Sequence, residues 1–246
     1  MQGITRELSF VIRPRKLIAL LALAVALLTL LGAAGGFLLL QRPGDGIVKV
    51  ATLVSLGEDA NLPTWYASVT LLLCGVLLGV IGLFARNTSD PFANHWLILA
   101  TLFILLSVDE VAMIHERAGW LLRWLSPAVS ELGGMLRYSW ILVGIPLLLI
   151  LGAVMLRWFL HLPRRFKGLF GAAALIYIGG ALGLEMVNAA THDAIGTRSL
   201  RYQGLTLVEE LCEMTGVLVF LYGLINYICG ITGAVTVRFH AQQKEV

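Results

Sequence analysis

Residues 17–40 read LIALLALAVALLTLLGAAGGFLLL, twenty-four positions without a charged side chain. Coiled as a helix rising about 1.5 Å per residue, the run is about 36 Å long, more than the roughly 30 Å of hydrocarbon in a bilayer. In hydrocarbon every backbone N–H and C=O must be bonded inside the protein, so an isolated run of this kind is a helix. Working outward from it, five more apolar runs follow at 65–84, 96–118, 138–159, 168–190 and 205–231. With 58% hydrophobic and 13% charged residues, the 246-residue chain lies outside soluble composition. The expectation is an all-α polytopic membrane protein: one domain over 1–246, a bundle of about six transmembrane helices, and no length left for a soluble domain.

Charge sets the orientation. Arg6, Arg13, Arg15 and Lys16 precede the first run, and placing them in the cytoplasm also puts Arg86, Arg157, Arg164, Arg165, Lys167, Arg238 and Lys244 there. Those are eleven of the eighteen basic residues, so both termini are expected to be cytoplasmic. The first run is too long for the core of a secretory signal and reads as a retained helix. On this topology Trp65, Trp120, Trp124 and Trp140 form an outer aromatic belt, and Trp96 and Trp158 an inner one. The basic residues flank helices, which points to a lipid bilayer as partner and away from nucleic acid. Cys74, Cys212 and Cys229 lie in or beside apolar runs and form no disulfide framework.

Residues 41–63 are the main outer loop, with turn chemistry at Pro43, Gly44, Asp45 and Gly46 and a strand-like alternation over 48–54. Residues 120–136 read as a segment lying in the outer interface, where it could roof a site. Gly75/Gly79 and Gly179/Gly183 read as close helix packing, and Pro146 as a kink in the fourth span.

Eight of the fifteen acids, namely Asp109, Glu110, Glu116, Glu185, Asp193, Glu209, Glu210 and Glu213, fall in or just beyond the third, fifth and sixth runs, with His115 and His192 among them. The topology brings all ten to the outer third of the membrane. An acid at mid-membrane costs about 2.5 to 3.5 kcal/mol on insertion scales, so a group of them requires partners, protons or a cation. At about 100° per residue, Glu185 and His192 share a face, as do Asp109 and Glu116, while Glu209, Glu210 and Glu213 lie within about 100° of one another. A deeper rung of Asp109, Glu185 and Glu213 and an outer rung of Glu116 or His115, His192 and Glu209 result.

Carboxylate and imidazole donors from facing helices suit a divalent metal ion, Fe, Mn or Zn, whose charge offsets the burial of several anions. Asp109, His115, Glu116, Glu185, His192, Glu209 and Glu213 are the candidate ligands, and Glu110 and Glu210 the candidate catalytic proton carriers. Such a site would activate water for hydrolysis or bind oxygen for an oxidation, acting on a lipid-like or small molecule. Two other readings stay open: a proton- or cation-coupled transporter or channel, and an accessory subunit of a larger membrane complex, or a homo-oligomer. Arg117, Arg198 or Arg201 could also pair with Asp193, Glu116 and His192 as plain surface ion pairs.

The segments Asn61-Leu62-Pro63-Thr64-Trp65, 108–116 (VDEVAMIHE) and 209–214 (EELCEM) resemble those of an uncharacterised group of multi-spanning bacterial membrane proteins. The resemblance implies a multi-pass protein of the bacterial inner membrane. The Asp109-Glu110 stretch also resembles a segment of the alkaline ceramidase-type zinc hydrolases, but this chain lacks their histidine pair four residues apart and has six runs where they have seven spans.

Overall fold

A computed structural model describes residues 8–11, 14–41, 44–232 and 236–239. Arg6, Arg13, Pro43 and Lys244, which enter the charge and turn arguments, lie outside the described residues. Strand β1 (Leu8–Val11) leads into α1 (Pro14–Leu40), and a short α2 (Asp45–Val54) precedes the hairpin of α3 (Leu62–Asn87) and α4 (Ala93–Ala112). After α5 (Ile114–Leu125), the single turn α6 (Pro127–Ser130) and a 3-10 turn at Gly134–Leu136 comes α7 (Ile141–His161). Then α8 (Arg164–Ile178), a π turn (Gly179–Leu184) and α9 (Glu185–Ile195) continue as one helix before α10 (Leu200–Thr232) and β2 (Thr236–Phe239).

Six helices are long and apolar enough to cross a membrane: α1, α3, α4, α7, the α8 to α9 rod and α10. Their outward faces are apolar, with Leu30, Leu83, Leu149 and Leu175 all more than half exposed, which suits hydrocarbon and not water. The two four-residue strands pair antiparallel, so residues 8–11 and 236–239 meet on one side of the bundle. Helices α2, α5 and α6 lie on the opposite, loop side.

Helix α3 starts where the sequence supplies a cap. Asn61 Oδ1 accepts the Thr64 N–H at 3.1 Å while its Nδ2 donates to the carbonyls of Ser55 and Glu58, both at 2.6 Å, and Pro63 occupies the first turn. Helix α10 is the central element, packed on α1, α3, α8, the π turn and α9. Small residues set that approach: a Cβ on Gly216 would stand 2.8 Å from the backbone N of Tyr177, one on Gly180 2.9 Å from the Glu209 carbonyl, and one on Gly223 2.6 Å from the Phe170 ring. On the side of the termini the core is aromatic, with Trp96 edge-on to Trp158 at 4.9 Å and tilted on Tyr227 at the same distance.

Four expectations change. Residues 48–54 are helical, because Ile47, Val50 and Leu53 repeat at three-residue spacing on an exposed face while Ala51 is buried against Gly35 of α1. The third run does not reach 118: Met113 adopts a left-handed conformation (φ 49°, ψ 45°), so the crossing ends at Ala112 and His115 and Glu116 belong to α5. Trp96 and Trp158 are 1% and 5% exposed, so the inner tryptophans are core residues and only Trp65, Trp120 and Trp124 stand out as a belt. Gly79 lies 3.9 Å from Ala100 through an added Cβ and Gly75 packs on α4, but Gly179 and Gly183 meet nothing; Gly180 makes the contact instead.

The crossing of α10 with α8 supplies a test. Gly216→Val forces side-chain atoms onto backbone that cannot yield, and overpacking of this kind costs about 1–3 kcal/mol. Gly179→Ala, with open space beside it, is expected to be neutral or slightly stabilising. Thermal unfolding in detergent compares the two, and equal melting temperatures would contradict the packing described.

Candidate functional site

The left-handed turn at Met113 brings the start of α5 back over the end of α4. The His115 backbone N–H donates to Asp109 Oδ1 at 2.8 Å, and Asp109 Oδ2 lies 2.7 Å from His115 Nδ1. One carboxylate thus satisfies a free amide of the first turn and fixes the imidazole with Nδ1 as the donor. Nε2 has no protein partner among the described residues. Asp109, read as a deep ligand, thus orients the histidine.

The ring of His115 stands edge-on to Trp140 at 5.1 Å between centroids, and Trp140 Nε1 donates to Glu185 Oε1 at 2.9 Å. The interfacial α5, the start of α7 and α9 are joined here through one indole. Across α9 and α10, Asn188 Nδ2 donates to Thr206 Oγ1 at 2.7 Å and to Glu209 Oε2 at 3.2 Å, while its buried Oδ1 finds no acceptor role. The Tyr138 hydroxyl lies 3.1 Å from His192 Nδ1 and 3.2 Å from the Tyr202 hydroxyl. Asp193 accepts from the Gly134 N–H and the Arg137 guanidinium, so its cation is Arg137 and not Arg117, Arg198 or Arg201. Glu116 is exposed on α5.

Glu110, Glu210 and Glu213 differ from the rest. Among the described residues, none of the three makes a hydrogen bond or ion pair, yet each is only partly exposed to its surroundings. The charges of Glu110 and Glu209 act on Glu210, and those of Glu210 and Glu110 on Glu213. The wall beside them is the π turn, where an added Cβ on Gly180 would come within 3.3 Å of Glu213 Cγ. Such turns widen a helix by one residue per turn and recur at functional sites. Tyr177, one turn earlier, also lies in the field of Glu213, Glu110 and Asp109.

Outside the membrane-spanning segments, charge has readable effects. Burial opposes the charged form of His115, but the Asp109 hydrogen bond and the charges of Asp109, Glu185 and Glu116 outweigh it and raise its pKa above 6.5. At the rim, desolvation raises the carboxyls of Asp59 and Glu116, with Asp59 repelling Glu116 and His115 opposing the rise at both. Burial, and then the Tyr202 hydroxyl, push the Tyr138 phenol well up, so it stays protonated.

The structure thus gathers Asp109, His115, Glu185 and Glu209, with Glu110, Glu210 and Glu213, at the loop-side end. It sets His192 and Asp193 with Tyr138 and Arg137 at the outer edge. Among the described residues no three His, Cys, Asp or Glu side chains stand as a ready ligand set for a metal ion. Sequence reading missed Asp59, Tyr138, Tyr177 and Tyr202, and placed Trp140 in a lipid belt. A tyrosine within or beside an apolar run carries no mark of facing inward, and only the acids advertised themselves by their cost.

A family model described as a domain of unknown function (DUF8692) matches residues 17–227. No curated protein and no solved structure matches the chain.

The Asp109 to His115 pair has a stated pH dependence. Because the histidine pKa is raised on folding, its stabilisation is complete below 6.5 and is lost as pH rises through the raised value. With more than a third of the imidazole exposed, solvent screening limits the effect to about 1 kcal/mol or less. The melting temperature of wild type is expected to exceed that of His115→Gln by most in mildly acidic buffer, with the gap narrowing as pH rises. A gap that is constant or widens toward alkaline pH would refute the charged pair.

Proposed function

We propose that this chain, which belongs to the DUF8692 family, is a membrane enzyme whose loop-side acid cluster holds a divalent metal ion and hydrolyses a lipid-like substrate. The observation that carries the reading is the set of Glu110, Glu210 and Glu213, three neighbouring carboxylates from α4 and α10 without protein partners. In a low-dielectric setting such neighbours cannot all be anionic unless a cation joins them. Glu110, Glu210 and Glu213 would be the ligands, with Glu185 and Glu209 as further oxygen donors. Fe, Mn and Zn are the metals that suit this donor set.

Hydrolysis is favoured over oxidation by His115. An imidazole held at Nδ1 by a carboxylate and free at Nε2 is built to take a proton from water. Asp109 keeps the tautomer, and Trp140 fixes the ring face and Glu185 together. A metal ion at the carboxylates would lower the pKa of a bound water, leaving His115 less work to do. His192 and Glu116 stand farther out, where they would meet an arriving polar group. The transporter reading has less support, because the other half of the bundle is filled, among the described residues, by Trp96, Trp158, Phe170 and Phe220. Cytoplasmic termini in a bacterial inner membrane belong to the same proposal, supported by the basic residues that flank the ends of the spans on that side.

Elemental analysis after incubation with zinc, manganese or ferrous iron and gel filtration tests the metal. Wild type is expected to keep about one ion per chain, and Glu210→Gln/Glu213→Gln to lose it while gaining apo-state stability through relief of repulsion. Failure of the wild type to retain any of the three metals, or equal retention by the variant, would overturn the reading.

A further inference from the structure

A crevice opens on the loop side between α1, the turn from α2 to α3, and α10, with a volume of about 190 Å³. Gly36 and Phe37 form one wall, Ser55 the floor, and Gln203, Gly204 and Leu207 the other wall. That is smaller than a drug-sized pocket and suits a stretch of one slender chain. Its surroundings on α1 are apolar and outward-facing, with Leu30 and Phe37 69% and 54% exposed, so the mouth is continuous with the surface that meets lipid tails.

The floor is not apolar. Ser55 is 1% exposed, and among the described residues its hydroxyl has no hydrogen-bond partner. The amide of Gln203 spends its Nε2 on the Thr197 carbonyl at 3.4 Å and leaves Oε1 over Gly36, 2.8 Å from where a Cβ would stand. A hydroxyl and an amide oxygen that line the crevice suit a polar head, and the apolar walls suit a chain. Thr206 is the partition between this crevice and the acids. Its methyl faces Gly57, where an added Cβ would lie 3.3 Å away, and its hydroxyl accepts from Asn188, which also donates to Glu209.

We infer that this crevice seats one hydrocarbon chain of a loop-side leaflet lipid, with the polar head at Ser55 and Gln203, one residue's thickness from the acid cluster. The inference rests on the proposed enzyme only in making that lipid its substrate; the seat itself stands on the cavity. A second copy of this chain is a poorer occupant, because Gly32, the other half of a small-residue pair with Gly36, is already closed by Leu56, 2.5 Å from an added Cβ.

The test is photolabelling in vesicles of phosphatidylethanolamine and phosphatidylglycerol that contain a phosphatidylethanolamine with a diazirine midway along one acyl chain. Labelled peptides are mapped by mass spectrometry. Label on the α10 segment 200–207 and the α1 segment 32–40 is expected to saturate as the probe fraction rises, whereas label on the lipid face of α7 at Leu147 and Leu149 rises in proportion. Gly204→Phe fills the crevice, since a Cβ there meets nothing within 4 Å. It should cut crevice labelling about tenfold, leaving α7 labelling and the melting temperature unchanged. Saturation in the wild type needs no variant, so a misfolded Gly204→Phe would not spare the proposal. Proportional labelling at both places, or chain-to-chain cross-links from a cysteine at Phe37, would overturn it. Metal content is measured on the same samples: saturable labelling without bound metal would keep the lipid seat and sink the enzyme reading, and bound metal without saturation would do the reverse.

Discussion

The close crossing of α10 over the α8 to α9 rod is the contact on which the rest of the bundle depends. Gly216 lets α10 rest on the backbone of Tyr177, and Gly180 lets it pass the π turn beside Cys212 and Glu213. Lipid tails are as apolar as leucine, so helices in a bilayer associate through dispersion contacts at short range and through hydrogen bonds, and not through loss of water. Glycine at the crossing gives both helices the needed approach. The same contact delivers Glu209, Glu210 and Glu213 to the end of α4, where Asp109 and Glu110 wait.

Carboxylates at that depth are expensive, and the structure offsets the cost by a different device at each. Asp109 is taken by His115, Glu185 by the Trp140 indole, Glu209 by Asn188, and Asp193 by Arg137 and the Gly134 amide. The partners come from turns and interfacial segments as often as from the spans, because a helix breaking at Met113 or a 3-10 turn near Gly134 presents amides that a straight helix keeps for itself. Glu110, Glu210 and Glu213 are left over, and their chemistry is the reason to look for a ligand.

The loop-side elements give the acids a setting. Helix α5 carries Trp120 and Trp124, 81% and 78% exposed, and α2 carries Ile47 and Val50 on its open face, so both suit the boundary between headgroups and tails. A site at this level is open to an amphiphile from the side and to water from above. On the side of the termini, stacked aromatic rings close the bundle.

Much was legible from the sequence. The length and purity of six apolar runs determined the fold class, because a backbone in hydrocarbon has no alternative to the helix, and the cost of acids in three of those runs marked one end as the place of interest. Helical phase put Glu185 and His192 on one face, and both do meet the residues just before α7. What it could not supply were the departures from ideal helix. A left-handed residue at Met113 and a π turn at Gly179–Leu184 change phase abruptly, and the apolar pattern announces neither. Hence the helical face expected to carry both Asp109 and Glu116 is broken, and Asp109 meets His115 instead. The tyrosines and Trp140 joined the acids only in three dimensions, since the sequence fixes which groups must find partners, while the packing of helices decides which partners they reach.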